Sequence, residues 1–237
     1  MQEVFIGREK ELADLEELYL QERFQLFVLY GRRRVGKTTL LNEFCKDKDA
    51  IFYSAEQSNN KLNLEKFSSL VFQFYEENNL EPFSSWSNAL SYIDERQGNK
   101  KLVLVIDEFP YLVKKNRALL SEFQHLIDHK LTSGKMFLIL SGSYMGFMEK
   151  EVLGSNSPLF GRRTAQLHMK PFTYQTSAKF MTGFSDEEKN AGDFSDYSKY
   201  TFLNSSGELL IDFITDENTK LYVGGDDGVC LWNMAEY

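Results

Sequence analysis

An apolar run, a glycine-rich loop and a helical stretch follow one another between residues 24 and 47, and this succession constrains the fold most. The run FQLFVLY at 24–30 ends directly at Gly31, as expected of a buried parallel strand. The loop then fits the pattern G-x-x-x-x-G-K-[ST], and KTTLLNEFCKD at 37–47 is typical of a helix. A strand, a loop and a helix in this order predict a phosphate-binding loop in an α/β protein.

The residue types of this loop have separable physical reasons. The two glycines let the backbone curl so that successive amide groups converge on a phosphate. The lysine is expected to reach the β- and γ-phosphates, and the first threonine to coordinate Mg²⁺. The positive end of the helix dipole points at the anion. The residues predicted to bind a nucleotide are therefore Gly31, Arg32, Arg33, Arg34, Val35, Gly36, Lys37, Thr38 and Thr39.

Further strands and helices alternate along the chain, which predicts a parallel sheet covered on both faces. The expected fold class is α/β, a three-layer αβα arrangement around a five-stranded parallel sheet. Its strands are predicted at 24–30, 50–55, 101–109, 135–143 and 163–172. Helices are predicted at 8–20, 37–47, 62–78, 86–98 and 117–134, with a short helical piece near 145–153.

The most apolar strand ends in a pair of carboxylates, Asp107 and Glu108. An aspartate in this place can hold the metal shell of a phosphate site, and a following glutamate can polarise the attacking water. The alternative is that Glu108 is merely a solvated strand end. We therefore expect Thr38 and Asp107 as Mg²⁺ ligands, with Lys37 and Glu108 in the chemistry.

Two further features are candidates for the same site. Ser141 and Ser143 close the strand MFLIL, and the carboxyl ends of parallel strands face one crevice. The alternative is a simple strand-to-loop turn. Arg162 and Arg163 precede the last predicted strand, and arginine suits a phosphoryl transition state, often from a neighbouring subunit. Surface arginines are common, so this pair alone is weak support.

These stretches come in the order seen in the prokaryotic, archaeal-type AAA-like ATPases of the P-loop superfamily. The chain resembles that family through FIGREKELADLEEL, LYGRRRVGKTTLL, LVLVIDEFPYL, LSGS and SPLFGRRTAQLHMKPF, over residues 4 to about 181. The resemblance implies an ATP-binding P-loop NTPase domain, with Gly7 and Arg8 near the adenine. It also implies a sensor role for Ser141 or Ser143 and an arginine finger at Arg162 or Arg163, of which we prefer Arg162.

The last part of the chain departs from the family. A P-loop ATPase domain is predicted for 1–185, a linker for 186–198 and an antiparallel β meander for 199–237. Short β-type runs and the turn signal Asp227-Gly228 support the meander. The stretch resembles a single β-propeller repeat of bacterial two-component regulators, and it replaces the winged-helix-like lid usual in the family. One repeat cannot close a ring, so a fragment joined by gene rearrangement is an alternative.

Composition limits the partners. A net charge of −8 gives no global attraction to nucleic acid, so nucleic-acid binding would need a local patch. The apolar runs are too short to span a bilayer, and the N-terminus has no signal-peptide pattern, which predicts a cytoplasmic protein. Cys45 and Cys230 form no metal or redox spacing. His125 and His129 lie four residues apart on a predicted helix, but without a third ligand a zinc site is disfavoured.

We therefore expect a Mg²⁺-dependent ATPase that hydrolyses ATP to ADP and phosphate. The alternatives are a nucleotide-dependent switch with little turnover, as the missing lid suggests, and a truncated or rearranged fragment. A homo-oligomer or a partner protein stays open, since an arginine acting in trans requires at least a dimer.

Overall fold

The computed structural model describes residues 5–78, 80–173, 176 and 179, and the backbone of three later strands at 213–215, 220–223 and 230–233. The chain divides into two compact units. One comprises Glu11–Lys170, and the other Met1–Lys10 with Pro171–Tyr237. The boundaries predicted at 185 and 198, and the linker between them, lie outside the described residues.

The larger unit is built on a five-stranded sheet in which every neighbouring pair is parallel. The spatial order is β2-β3-β4-β1-β5, and all five predicted strands are confirmed. Their bounds are Gln25–Tyr30 for β1, Ala50–Ser54 for β2, Val103–Asp107 for β3, Phe137–Gly142 for β4 and Ala165–His168 for β5. Every residue of β1, β3 and β4 is buried, because helices cover both faces of the centre of the sheet.

Six of the helices in the described part of the chain cover the sheet. Side chains of α1 and α2 pack on one face, where Tyr19 and Phe44 contact the Phe137 ring. The other face carries α3 to α6, and its core includes Phe67, Trp86 and Phe123. The bounds are Glu9–Tyr19 for α1, Lys37–Cys45 for α2, Asn60–Phe74 for α3, Trp86–Gln97 for α4, Pro110–Lys115 for α5 and Leu119–His129 for α6.

Local sequence signals explain several helix ends. The side chains of Asn59 and Ser85 accept hydrogen bonds from backbone amides in the first turns of α3 and α4. Gly98 follows α4 with a φ of 56°, so the predicted glycine stop is confirmed. The predicted helix at 117–134 is shorter, since α6 ends at His129 and a 3₁₀ turn follows at Leu131–Ser133. A short α7, Met145–Phe147, runs into a π-helical turn at Met148–Val152.

Helix α5 is an element that the sequence pattern did not predict. It begins at Pro110, two residues after Glu108, and proline is common at the first position of a helix because its missing N–H would have no partner there. Its Leu112 and Val113 are buried in the core. The helix therefore fixes the direction in which the chain leaves the end of β3.

In the smaller unit, the three later strands form an antiparallel sheet in the order β6-β7-β8. They are Phe213–Thr215, Lys220–Val223 and Cys230–Asn233. An antiparallel meander in this region was predicted, and the strand order agrees with it. The likeness to a propeller repeat stays a prediction. Among the described helices, none is long and apolar enough to cross a membrane.

Candidate functional site

The loop between β1 and α2 has the conformation that its two glycines make accessible. Gly36 precedes α2 with a φ of 88°, in the left-handed region that favours glycine. Gly31 has a steric reason instead: a Cβ there would overlap the carbonyl oxygen of Met169. The Met169 amide in turn donates to the carbonyl of Tyr30 at 2.7 Å, so the chain after β5 lies directly against the start of the loop.

Lys37 is folded into this loop. Its side chain is buried, and Nζ donates hydrogen bonds to the carbonyl oxygens of Gly31 at 3.1 Å and Arg32 at 2.9 Å. Burial lowers the pKa of Lys37, the charges of Glu108 and Asp107 act against this, and Arg33 adds to the lowering. A buried ammonium close to Arg33 is an electrostatic environment that a bound anion would stabilise.

Thr38 and Asp107 meet at the carboxyl end of β3. The Thr38 hydroxyl donates to Oδ2 of Asp107 at 2.9 Å. A hydroxyl and a carboxylate are hard oxygen ligands, and Mg²⁺ typically takes one or two such protein groups together with water and phosphate oxygens. The described residues contain no group of three or more His, Cys, Asp or Glu side chains suited to a metal. The donor set of Thr38 and Asp107 fits a Mg²⁺ ion whose other ligands are water and phosphate oxygens.

Glu108 is held in place by two neighbours. Its Oε2 accepts hydrogen bonds from the Ser143 hydroxyl at 2.9 Å and the Ser143 amide at 3.3 Å. Its own amide donates to Oδ1 of Asp107 at 2.9 Å. Glu108 has a φ of 50°, which is unfavourable for a non-glycine residue and is common at functional sites. The carboxylate thus has a defined direction beside the loop.

The two predicted serines occupy different environments. Ser143 lies in the loop after β4 and contacts Glu108, as described above. Ser141 is fully buried in β4, and its hydroxyl has no hydrogen-bond partner among the described residues. Because side chains alternate along a strand, Ser141 shares with Asp107 the sheet face opposite to Ile106 and Leu140 of the main core. Of the two serines, only Ser143 forms a side-chain hydrogen bond with a predicted site residue.

The remaining loop residues diverge. Nη2 of Arg33 donates to the Tyr111 hydroxyl at 2.7 Å, and Arg34 has a φ of 64°. Val35 is buried, whereas Arg32, Arg34 and Thr39 are exposed. The loop thus directs its arginine side chains outward, and one of them is tied to α5.

Arg162 lies in an ion pair with Asp128 of α6. Its Nε and Nη2 donate to the two carboxylate oxygens, each at 2.7 Å, and Nη1 donates to the carbonyls of Pro158 and Phe160. This contact lowers the pKa of Asp128. Nη1 of Arg163 donates to the carbonyl of Leu153 at 2.9 Å. Neither arginine contacts the carboxylates of the candidate site.

Gly7 and Arg8 belong to the smaller unit. Gly7 has a φ of 82°, and the Arg8 guanidinium lies 4.1 Å from the centre of the Phe172 ring. Their predicted place near the adenine stays a prediction.

His125 and His129 lie with ring centres 4.4 Å apart on α6, and within the described ranges no third ligand joins them.

Sequence reasoning missed a set of side chains around Glu108. A cleft of about 340 Å³ is lined by Glu108 and Ser143 together with Arg33, Gln57, Pro110, Tyr111, Lys114 and Tyr144. The signal that could have found them is Pro110, whose position after the carboxylate pair marks the start of α5.

The family to which this chain belongs follows from a match to a known sequence profile. The sequence profile of a family described as an ATPase domain predominantly from Archaea matches residues 5–211. The chain belongs to this family. Nucleotide binding and ATPase character are therefore properties of the family to which this domain belongs.

Individual relatives agree with this assignment. The ATPase domain is 33% identical over 180 residues to the uncharacterised protein MJECL04 of Methanocaldococcus jannaschii, a match that covers 75% of this chain and 38% of that one. Among solved structures it is similar to a Walker-type ATPase of Pyrococcus abyssi, with a TM-score of 0.55 and 25% identity over 75% of this chain and 57% of that one.

A more distant neighbour shares the fold alone. Cdc6p of Pyrobaculum aerophilum has a TM-score of 0.52 and 16% identity, over 72% of this chain and 47% of that one. This ATPase domain therefore spans well under two thirds of the length of each of these three proteins.

Proposed function

We propose that this chain binds ATP with Mg²⁺ and hydrolyses it to ADP and phosphate. The observation that carries the proposal is the convergence of two hydrogen-bonded pairs on one sheet edge, Thr38 with Asp107 and Glu108 with Ser143. They adjoin a loop whose lysine is buried and in electrostatic contact with both carboxylates. This set provides phosphate binding, metal coordination and a general base in one place.

Lys37 and the loop amides supply the binding of the phosphates. The ammonium, now bonded to two carbonyl oxygens of its own loop, would donate to the β- and γ-phosphate oxygens of ATP. The anion would raise the pKa of Lys37 back toward its usual range, because a nearby negative charge favours the charged amine. Thr38 and Asp107 would hold Mg²⁺, which when bound neutralises charge on the phosphate oxygens.

Glu108 has the geometry of a general base. Oε2 is occupied by Ser143, and within the described residues Oε1 accepts no hydrogen bond, which leaves Oε1 to take a proton from water. The water oxygen forms a bond to the γ-phosphorus, and the bond between that phosphorus and the bridging oxygen breaks. The proton passes through Glu108 to the phosphate, so that ATP⁴⁻ and H₂O give ADP³⁻ and H₂PO₄⁻.

Arg162 as a finger in trans requires a rearrangement. Its guanidinium would have to leave both oxygens of Asp128 and two backbone carbonyls before it could reach a phosphate. A finger role for Arg162 would therefore require an oligomer in which these contacts are broken.

The test compares Lys37→Ala and Glu108→Gln with the wild type. The expected result is that Lys37→Ala loses ATP binding, whereas Glu108→Gln binds ATP but releases phosphate at least about 100-fold more slowly. Lys46→Ala, which removes an exposed lysine at the end of the same helix, is the matched control for charge. Wild-type ATP affinity in Lys37→Ala would refute the proposal.

A nucleotide-dependent switch is the second candidate, and one observation favours it. Ser143 ties back the proposed base through two hydrogen bonds, so the carboxylate is restrained in this conformation. If wild type and Glu108→Gln bind ATP equally and neither releases phosphate, the switch is the correct function.

A further inference from the structure

Glu108 and Ser143 form one wall of the cleft of about 340 Å³ described above. Arg33 of the phosphate loop lines the cleft but Lys37 and Thr38 do not, so the cleft adjoins the loop without including the residues proposed to hold the phosphates and Mg²⁺. Its floor includes Pro110 at the start of α5. Whatever enters this cleft comes into contact with the proposed base.

Two cationic side chains line the cleft, and each contacts a tyrosine. Arg33 donates to the Tyr111 hydroxyl at 2.7 Å, and Nζ of Lys114 lies 3.9 Å from the centre of the Tyr144 ring. In the part of the chain that the structure describes, neither cation forms an ion pair with a carboxylate. Contacts with tyrosines fix the direction of a cation without cancelling its charge. Both cations therefore remain able to bind an anion.

The polar groups of the lining specify what kind of anion would fit. Arg33, Lys114, the hydroxyl of Tyr111 and the amide of Gln57 are hydrogen-bond donors, whereas the hydroxyl of Ser143 already donates to Glu108. Glu108 is the one carboxylate among the lining residues, and it can only accept. The complementary ligand has several acceptor oxygens and keeps at least one proton to donate to Glu108. Orthophosphate has this chemistry, whereas fully ionised sulfate does not.

The aromatic groups favour a small ion over a nucleic acid. A base stacks on an exposed ring face, and in Tyr144, which is 54% exposed, Lys114 lies over one face of the ring. The same ring also stacks with Phe147, with ring centres 6.2 Å apart. The volume suffices for one tetrahedral ion with several waters, since a water takes about 30 Å³ in the liquid.

We propose that this cleft binds inorganic phosphate and that it receives the phosphate released from ATP at the neighbouring loop. The first part stands on the lining residues alone, and the second part rests on the proposed function. A phosphate held here would stay in contact with Glu108 after it leaves ADP. The cleft would then be an exit site that governs product release.

The first measurement is a calorimetric titration of inorganic phosphate into the full chain saturated with Mg²⁺ and ADP, so that the phosphate loop is filled. The expected result is one phosphate per chain, with binding about tenfold weaker in Lys114→Gln, because one charge-assisted hydrogen bond is lost. Lys115→Gln is the matched control: this lysine is exposed, is the next residue of α5 and does not line the cleft. It should bind phosphate as the wild type does.

The second measurement replaces phosphate by sulfate. Wild-type protein should bind sulfate at least about tenfold more weakly than phosphate, since Glu108 repels an anion that has no proton to donate. Glu108→Gln should remove this discrimination. Equal binding of the two ions by the wild type, or discrimination retained in Glu108→Gln, would overturn the assignment of the cleft to phosphate.

The third measurement separates the two proposals. Phosphate is titrated into Lys37→Ala without nucleotide, where the loop itself is disabled. Suppose that Lys37→Ala binds phosphate, that this binding is lost when Lys114 is also replaced, and that the wild type hydrolyses no ATP. This result would support the cleft and refute only the proposed ATPase activity. If Lys37→Ala binds no phosphate, or binds it equally well with Lys114 replaced, while the wild type hydrolyses ATP, only the assignment of the cleft is refuted. Lys114-dependent binding of a single-stranded oligonucleotide that is tighter than that of phosphate also overturns it.

Discussion

The Thr38 hydroxyl donates to Oδ2 of Asp107 at 2.9 Å and thereby connects the first turn of α2 to the end of β3. The other oxygen of the same carboxylate accepts from the Glu108 amide. Asp107 therefore links the loop that would bind phosphates to the residue that would activate water. Substitutions at these positions should separate metal binding from proton transfer.

Asp107→Asn should impair the use of Mg²⁺ more than the binding of nucleotide. The amide keeps a polar group near Thr38 but loses the charge that a hard cation requires. We expect the Mg²⁺ concentration for half-maximal ATP turnover to rise about tenfold or more, as measured by a magnesium titration of phosphate release. Asp47→Asn, at an exposed position beyond the end of α2, is the control and should match the wild type. An unchanged magnesium requirement in Asp107→Asn would exclude Asp107 as a ligand.

Alanine substitutions at Ser141 in β4 and at Ser143 in the loop after it should have different effects, one on stability and the other on turnover. Ser143→Ala removes the 2.9 Å donor to Glu108, and we expect a fall in turnover of about tenfold from the loss of a hydrogen bond to a charged group. Ser141→Ala removes a buried hydroxyl that lacks a partner among the described residues, so we expect it to stabilise the fold by about 1 kcal/mol. Thermal unfolding without nucleotide measures the second effect. A lower melting temperature in Ser141→Ala would mean that this hydroxyl has a partner in solution.

The ion pair of Arg162 and Asp128 should make a small, pH-dependent contribution to stability. Asp128→Asn should cost about 1 kcal/mol or less of stability, because the pair is partly exposed. The folded pKa of Asp128 is lowered, so its contribution is present above the unfolded pKa of about 3.9 and is lost as the pH falls through the folded value. Urea unfolding at pH 7 and pH 3 measures both points.

Mixed assembly tests whether the arginine acts in trans. Arg162→Ala and Glu108→Gln are each expected to be slow, and a mixture should recover turnover if one subunit supplies the arginine and another the base. Arg163→Ala provides the comparison at the neighbouring position. A mixture no faster than its slow components would place the role of Arg162 within its own chain.

Cys45 should be unreactive in the folded protein. Burial raises the pKa of its thiol to about 11, and the nearby Lys48 only partly opposes this. Because the thiolate is the nucleophile, a rise of two units from the reference of 9.0 means about 100-fold slower alkylation at pH 8 than in the unfolded chain. The rate should increase with pH up to about 11. Peptide mass spectrometry after iodoacetamide treatment distinguishes Cys45 from Cys230, and rapid labelling at pH 8 would contradict the prediction.

Gly31→Ala should unfold the loop or the protein, since its Cβ would overlap the Met169 carbonyl oxygen, which is backbone and cannot rotate away. We expect a loss of about 2 kcal/mol or more in the free energy of unfolding, as for other overpacked positions. Gly146→Ala is the control, because a Cβ there meets nothing within 4 Å. A melting temperature equal to that of Gly146→Ala would show that the loop can move aside.

The sheet was predictable from sequence because its signals are local. The three central strands β1, β3 and β4 are continuous buried runs, and the loop motif between β1 and α2 is a fixed spacing of residue types. Asp107 and Glu108 were expected in the site because an aspartate at this strand end can hold the metal shell and a following glutamate can polarise water. The hydrogen bond between Thr38 and Asp107 agrees with that placement.

The surroundings of the site were not predictable, because they depend on side chains distant in sequence. Arg33 and Tyr111, which form a hydrogen bond, are 78 residues apart in the sequence, and Arg162 and Asp128 are 34 residues apart. Spacing cannot reveal such pairs. The difference between Ser141 and Ser143 was hidden for another reason: it depends on where β4 ends, and strand ends are what sequence patterns locate least well.

Met169 is the residue on which the beginning of the phosphate loop rests. Its carbonyl fills the space that Gly31 leaves, its amide bonds to Tyr30, and its methyl group would be the nearest neighbour of a Cβ on Gly36. The polypeptide leaves the larger unit one residue later, at Lys170. The last residues of the larger unit are therefore part of the packing that shapes its phosphate loop, and a change in the backbone at Met169 would alter the space that Gly31 occupies.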